Sequence, residues 1–315
     1  MLRNEEQNVQ TLTSFNEFLN HIKIPPTENF AVDLSFEKIC NDAALVIAEC
    51  IQNGFCGKLI HLDLSNSNLE QNGAEAIAHA LLKCPPGFRL LLNNNHLGAT
   101  AIVAFAWVLS QPNCSENLTL FIHDGNVELK PVLELISALK HAPGGLTIRF
   151  NVDIYQDGII NTNSTLIANL AQFIGSSNGP KNLTLDLRGF VEEGLLAPVI
   201  TALTWPTCKP GLSLILDLSM MAIQDCKALK VALESGKTRA DLRIYFATEE
   251  VDFINKNTLY SKTDTITKLT AKLSDLVRLE NLPKQVFFHP RKRKRKEKKV
   301  KSPFHLYEAP KPGGL

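Results

Sequence analysis

Apolar and polar positions along the chain repeat in a fixed two-part pattern. Leu59-Ile60-His61-Leu62-Asp63-Leu64-Ser65-Asn66-Ser67-Asn68-Leu69 alternates with period two and predicts a short strand. Gly73, Ile77 and Leu81 then fall four apart and predict one face of a helix. The pattern returns at Phe88–Leu97, Leu118–Ile122, Leu146–Phe150, Leu183–Leu187, Leu214–Leu218 and Leu242–Phe246. Counted from Ile60, the spacings are 28, 30, 28, 37, 31 and 28 residues. One unit earlier, Phe30-Ala31-Val32-Asp33-Leu34-Ser35 shares Asp-Leu-Ser with residues 63–65. This makes eight strand–helix units over residues 28–255. Neither half of a unit can bury its apolar face alone, so each needs neighbours of its own kind.

The alternation assigns each strand residue to a face. The inward pairs are Val32/Leu34, Leu62/Leu64, Leu90/Leu92, Leu120/Ile122, Ile148/Phe150, Leu185/Leu187, Leu216/Leu218 and Ile244/Phe246. One outward series runs Asp33, Asp63, Leu91, Phe121, Arg149, Asp186, Asp217, Tyr245, and its neighbour Ala31, His61, Arg89, Thr119, Thr147, Thr184, Ile215, Arg243. Leu91 and Phe121 are large apolar residues on a face expected to be wet, and Arg89 and Arg149 flank them. Apolar anchors ringed by arginine are the composition of a binding hot spot. The candidate partner-binding residues are therefore Asp63, Arg89, Leu91, Phe121, Arg149, Asp186, Asp217 and Tyr245.

Units of L-x-x-L-x-L form, alternating 28 and 30 residues with a helix in each, resemble the leucine-rich repeat family in its ribonuclease-inhibitor-like subtype. The resemblance implies an α/β fold: a right-handed, horseshoe-shaped solenoid with a parallel sheet on the concave face and helices on the convex one. It implies a protein–protein interaction scaffold whose concave face binds a partner protein. The family's ninth-position Asn is Asn95 here, with Ser67 and Asp153 as polar substitutes; Glu37, Gly125, Phe190, Met221 and Glu249 depart from the pattern. Certain members regulate a small GTPase, and others present substrates to a ubiquitin ligase. The GTPase-directed members carry an acidic tail, whereas this tail is basic. Degenerate repeats of this kind are also similar to those of effector proteins that intracellular bacterial pathogens deliver into host cells.

Flanking segments predict caps. Phe15, Phe18, Leu19 and Ile22 make an amphipathic N-terminal helix within residues 1–27, stopped by Pro25-Pro26. Residues 256–285 hold a second cap: Thr263 or Asp264 starts a helix, Ile266, Leu269, Leu273 and Leu276 form its apolar face, and Pro283 ends it. The long spacing places a nine-residue insertion at Gln156–Ser164, before a helix starting near Thr165.

Charge divides the chain. Its net charge is +1, yet residues 286–315 carry ten Lys/Arg against two Asp/Glu, leaving −7 on the rest. The block Arg291-Lys292-Arg293-Lys294-Arg295-Lys296 suits recognition by a nuclear import receptor; phosphate or anionic-lipid binding are the other jobs open to it. It has no interleaved aromatics for base stacking, so nucleic acid is expected only through the tail, if at all. Residues Met1-Leu2-Arg3-Asn4-Glu5-Glu6 lack the apolar segment of a secretory signal and no apolar run is long enough to span a bilayer, so a cytoplasmic or nuclear site is expected.

The seven cysteines include no C-x-x-C pair. Cys56, Cys84 and Cys114 each precede the same strand position by four, which predicts a recurrent buried turn site. The eight histidines are scattered, and no phosphate loop, H-E-x-x-H or G-x-S-x-G occurs. No catalytic residue, metal site, cofactor or small-molecule substrate is assigned.

Overall fold

A computed structural model describes residues 9–23, 26–154, 163–188, 195–218, 221–247, 258–260 and 262–280. Residues 1–276 form one compact unit and 277–315 a second, of which only the end of a helix at 277–280 lies among the described residues.

The eight expected strands are present as β2 (Phe30–Asp33), β3 (Leu59–Asp63), β4 (Arg89–Asn95), β5 (Thr119–Val127), β6 (Thr147–Ile154), β7 (Thr184–Asp186), β8 (Ser213–Asp217) and β9 (Arg243–Ala247). A further strand, β1 (Gln10–Leu12), precedes them, and β10 (Thr258–Tyr260) follows. All ten lie in one sheet in sequence order. Every pairing from β1 to β9 is parallel, and β10 runs antiparallel to β9. A helix follows each of the first eight strands: α1 (Phe15–His21), α2 (Asn41–Gln52), α3 (Gln71–Ala80), α4 (Gly98–Leu109), α5 (Leu129–Ala138), α6 (Asn163–Ile174), α7 (Ala197–Ala202) and α8 (Ile223–Glu234). Among the described residues the last helix is α9 (Lys262–Glu280). This is a solenoid-like α/β fold of repeated strand–helix units.

The core follows from the alternation. Val32, Leu34, Leu62, Leu64, Leu90, Leu92, Leu120, Ile122, Ile148, Leu185 and Leu187 are all buried and pack on helix residues such as Ile47, Ile77, Phe105, Leu135 and Leu170. Helices approach closely where side chains are small. A Cβ added at Gly73 on α3 would lie 2.8 Å from both Ala44 Cβ and Leu69 Cδ1, so the α2–α3 contact depends on its absence.

The seventh unit departs from the expected register. Thr184 pairs with Ser213, Leu185 with Leu214 and Asp186 with Ile215, so the inward pair is Leu214/Leu216 rather than Leu216/Leu218. The spacings after the insertion become 29 and 30 residues, because Ser213 pairs in turn with Arg243. Leu212, Leu214, Leu216 and Leu218 alternate without interruption, so a slip of two preserves every inward leucine; Asp217-Leu218 imitates Asp63-Leu64 and favours the wrong choice.

The corrected register also extends the cysteine series. Cys56, Cys84 and Cys114 are buried in their turns as expected, and Cys208 joins them four residues before Leu212. Burial raises the thiols of Cys56 to about 12 and Cys114 to about 11, the range of inert packing groups.

At the N-terminal end, Ser14 caps α1 by accepting from the Glu17 amide at 3.2 Å, while Glu17 accepts from the Thr13 amide at 2.9 Å. Phe18 and Ile22 are buried, with Phe15 and Leu19 packed beside them. Strand β1 was not expected from Gln10-Thr11-Leu12, where only Leu12 is buried. At the other end, Leu269 is buried on α9, and Ile266 and Leu273 pack against the core. Helix α6 begins at Asn163, two residues ahead of the expected start, and the rest of the insertion, 156–162, lies outside the described residues.

Candidate binding face

Strand residues that point away from the helices form rows across the sheet. One row pairs Asp33 with Asp63, Asp63 with Leu91, Leu91 with Phe121, Phe121 with Arg149 and Arg149 with Asp186. It continues through Ile215 to Tyr245. Asp217 pairs with Ala247 instead, so its assignment to this row was wrong by two residues. The neighbouring row runs Ala31, His61, Arg89, Thr119, Thr147, Thr184, Ser213, Arg243.

Burial divides the expected contact residues. Asp63, Leu91, Arg149 and Tyr245 on the row and Arg89 on its neighbour are half-buried, and Asp33 is exposed. Phe121 is 1% exposed and Asp186 2%, so neither is a surface anchor. The reason is a local cluster. Arg149 Nε donates to Asp186 Oδ2 at 2.7 Å, and its guanidinium carbon lies 5.0 Å from the centre of the Phe121 ring. Arg188 donates from Nε to Asp186 Oδ1 at 3.0 Å and from Nη2 to Oδ2 at 2.9 Å. Two arginines thus cover the carboxylate, and one of them also covers the ring. Burial raises the Asp186 pKa to about 6, with Arg149 pulling the other way.

Arg188 was absent from the expected site, although its spacing announced it. Arg188 follows β7 in a turn, and its amide donates to Asp186 Oδ1 at 3.2 Å, as the Ser35 and Ser65 amides donate to Asp33 and Asp63 two residues before them.

The first two units give the face a different character. Asp33 Oδ1 accepts from the Ser35 amide at 3.0 Å and hydroxyl at 2.6 Å, and Asp63 Oδ1 accepts from the Ser65 amide at 2.8 Å. Burial raises the Asp63 pKa, its bonds with Ser65 oppose this, and Asp33 adds to the rise. Beside them His61 is held neutral: burial lowers its pKa to about 4, Arg89 adds to the effect, and Asp33 opposes it. Its Nε2 is buried without a hydrogen-bond partner.

Behind this face runs a polar spine. Asn95 is buried; its Oδ1 accepts from the amides of Ser67 at 3.1 Å and Leu69 at 3.0 Å, and its Nδ2 donates to the Leu64 carbonyl at 2.7 Å. Ser67, also buried, donates to the Leu34 carbonyl at 2.9 Å. Each side chain satisfies backbone of the preceding turn that the sheet leaves unpaired. The side chain of Asp153 and the basic residues Arg291–Lys296 lie outside the described residues.

Among the described residues no group of three or more His, Cys, Asp or Glu is placed to hold a metal ion, and no helix is long and apolar enough to cross a membrane. No protein-family model matches the chain, and no curated protein matches it at a significant level.

Proposed function

We propose that this chain is a leucine-rich repeat protein of the ribonuclease-inhibitor-like subtype, a right-handed solenoid that binds a partner protein on its open sheet face. The observation that carries this reading is the unbroken outward row from Asp33 to Tyr245, held in register across eight parallel strands. Parallel strands lie about 4.8 Å apart, so such a row spans on the order of 35 Å, the scale of a folded protein surface. The bonds of Asn95 and Ser67 support the family reading, since they do the work of the repeat's ninth-position polar residue.

Contact falls on Asp63, Arg89, Leu91 and Tyr245, with Arg149 held in place by Asp186 beneath it. The basic block Arg291–Lys296 serves a separate purpose, capture by a nuclear import receptor.

The test is affinity capture with the full-length chain, the chain ending at Phe288, and a full-length Leu91→Ala/Tyr245→Ala variant. The reading requires a protein retained by the first two and lost by the third. Equal retention by all three moves the site off the sheet. Imaging of the first two, tagged, tests the tail: equal nuclear and cytoplasmic distribution of both ends the import assignment.

A further inference from the structure

The turn after β2 contains a residue that neither local conformation nor packing accounts for. Phe36 has φ +65° and is 78% exposed. The same turn recurs in the next two units. The Phe36 amide donates to the Ser65 carbonyl at 3.0 Å, and the Asn66 amide donates to the Asn93 carbonyl at 2.8 Å. The left-handed residue is Asn66 (φ +57°) in the second turn and Asn94 (φ +55°) in the third. Those asparagines are bonded to one another, Asn94 Nδ2 donating to Asn66 Oδ1 at 3.0 Å. Asparagine suits this conformation because its short side chain bonds locally. Phenylalanine has no such compensation, and an L residue with a bulky side chain is strained there. Its ring gains almost nothing from the core, because it lies in water. Both terms favour a polar residue at position 36. The missing favourable term is burial of the ring against another molecule.

The surroundings specify that molecule. Asp33 is exposed three residues before Phe36, Glu37 follows it, and Asp63 sits beside Asp33 in the sheet. The imbalance is regional: residues 1–80 contain eleven Asp/Glu against four Lys/Arg, while residues 81–285 contain nineteen of each. Residues 28–80, the first two units, alone carry eight Asp/Glu against two Lys/Arg, a net −6 of the body's −7.

We propose that Phe36 is the anchor of a second docking surface, on the rim of the first unit and bordering the open sheet face at Asp33 and Asp63. The partner is a protein with an apolar pocket that admits one aromatic ring, bordered by lysine or arginine. Ring burial supplies affinity, and the acidic surroundings supply orientation and a salt-sensitive encounter rate.

The test uses the full-length chain as target for a displayed library of small folded domains with randomised surfaces. Dominant clones should lose at least about tenfold in affinity on Phe36→Asn and weaken by a similar factor between low and high salt. They should carry Lys or Arg around their binding surface and be unaffected by Leu91→Ala/Tyr245→Ala, which keeps this result separate from the fate of the sheet-face reading. Clones that bind Phe36→Asn as tightly as the parent, or that tolerate salt, overturn the proposal. A second readout excludes a structural role for the ring. Phe36→Asn should raise the melting temperature by about 2 °C, because asparagine fits the left-handed turn. A fall in melting temperature means that the ring stabilises the fold, and overturns the proposal as well.

Discussion

Replacing Arg149 with alanine removes the 2.7 Å hydrogen bond to Asp186 and uncovers the Phe121 ring. A hydrogen bond to a charged group is worth about 1.5–3 kcal/mol, and a guanidinium over a partly exposed ring about 0.5–1 kcal/mol. The Arg149 side chain is 22% exposed, which favours the lower end of both ranges. Arg188 still reaches both Asp186 oxygens, so the loss stays below the 3–5 kcal/mol typical of an orphaned buried charge. The expected destabilisation is about 2–3 kcal/mol. Urea unfolding followed on Trp107 and Trp205 measures it, and a double-mutant cycle with Asp186→Asn isolates the pair. Coupling should be about 1.5 kcal/mol at pH 8, where the carboxylate is ionised, and should shrink by pH 5, below its pKa of about 6. Linkage adds a sign. The folded pKa lies above the unfolded value of 3.8, so protonation stabilises the fold and ionisation costs it. Stability should therefore fall as pH rises from about 4 to about 6, by at most ~3 kcal/mol, and Asp186→Asn should flatten that slope. Coupling below about 0.5 kcal/mol at pH 8 refutes the argument and returns Arg149 to the list of residues open to a partner.

Three further outcomes are expected. Phe121→Ala should destabilise the fold by about 3–5 kcal/mol in the same assay, the cost of emptying a buried aromatic site, which separates it from Leu91 and Tyr245. Asn95→Ala strands two backbone amides and one carbonyl and should cost about 3 kcal/mol or more, with hydrogen exchange rising first at Ser67 and Leu69. His61 acts in the opposite sense to Asp186: its folded pKa of about 4 lies below the unfolded 6.5, so the stability tied to it is present above pH 6.5 and lost as pH falls towards 4. A pH series on His61→Gln should lack that loss, and an unchanged acid limb refutes the assignment.

The sequence by itself determined the units, because burial on one face writes itself into a chain as periodicity. Strands β2 to β9 lie where alternation placed them, and Phe18, Leu269 and the turn cysteines are buried as their spacing required. Asp33 and Asp63 were matched in sequence and are paired in space. Periodicity has limits that are equally physical. A period of two cannot distinguish a strand from itself moved by two, so Leu212–Leu218 permitted two registers and only pairing with Asp186 and Tyr245 selected one. Periodicity also reports which face a residue occupies, not what covers that face. Phe121 and Asp186 are outward by alternation yet buried, because Arg149 on the strand between them lies against both and Arg188, just beyond β7, closes over Asp186. Phe36 shows the converse. Alternation says nothing of it, and its left-handed, exposed position became visible only when its turn was laid beside those of Asn66 and Asn94. Side-chain direction and cover arise from contacts between units, and a pattern read within one unit does not contain them.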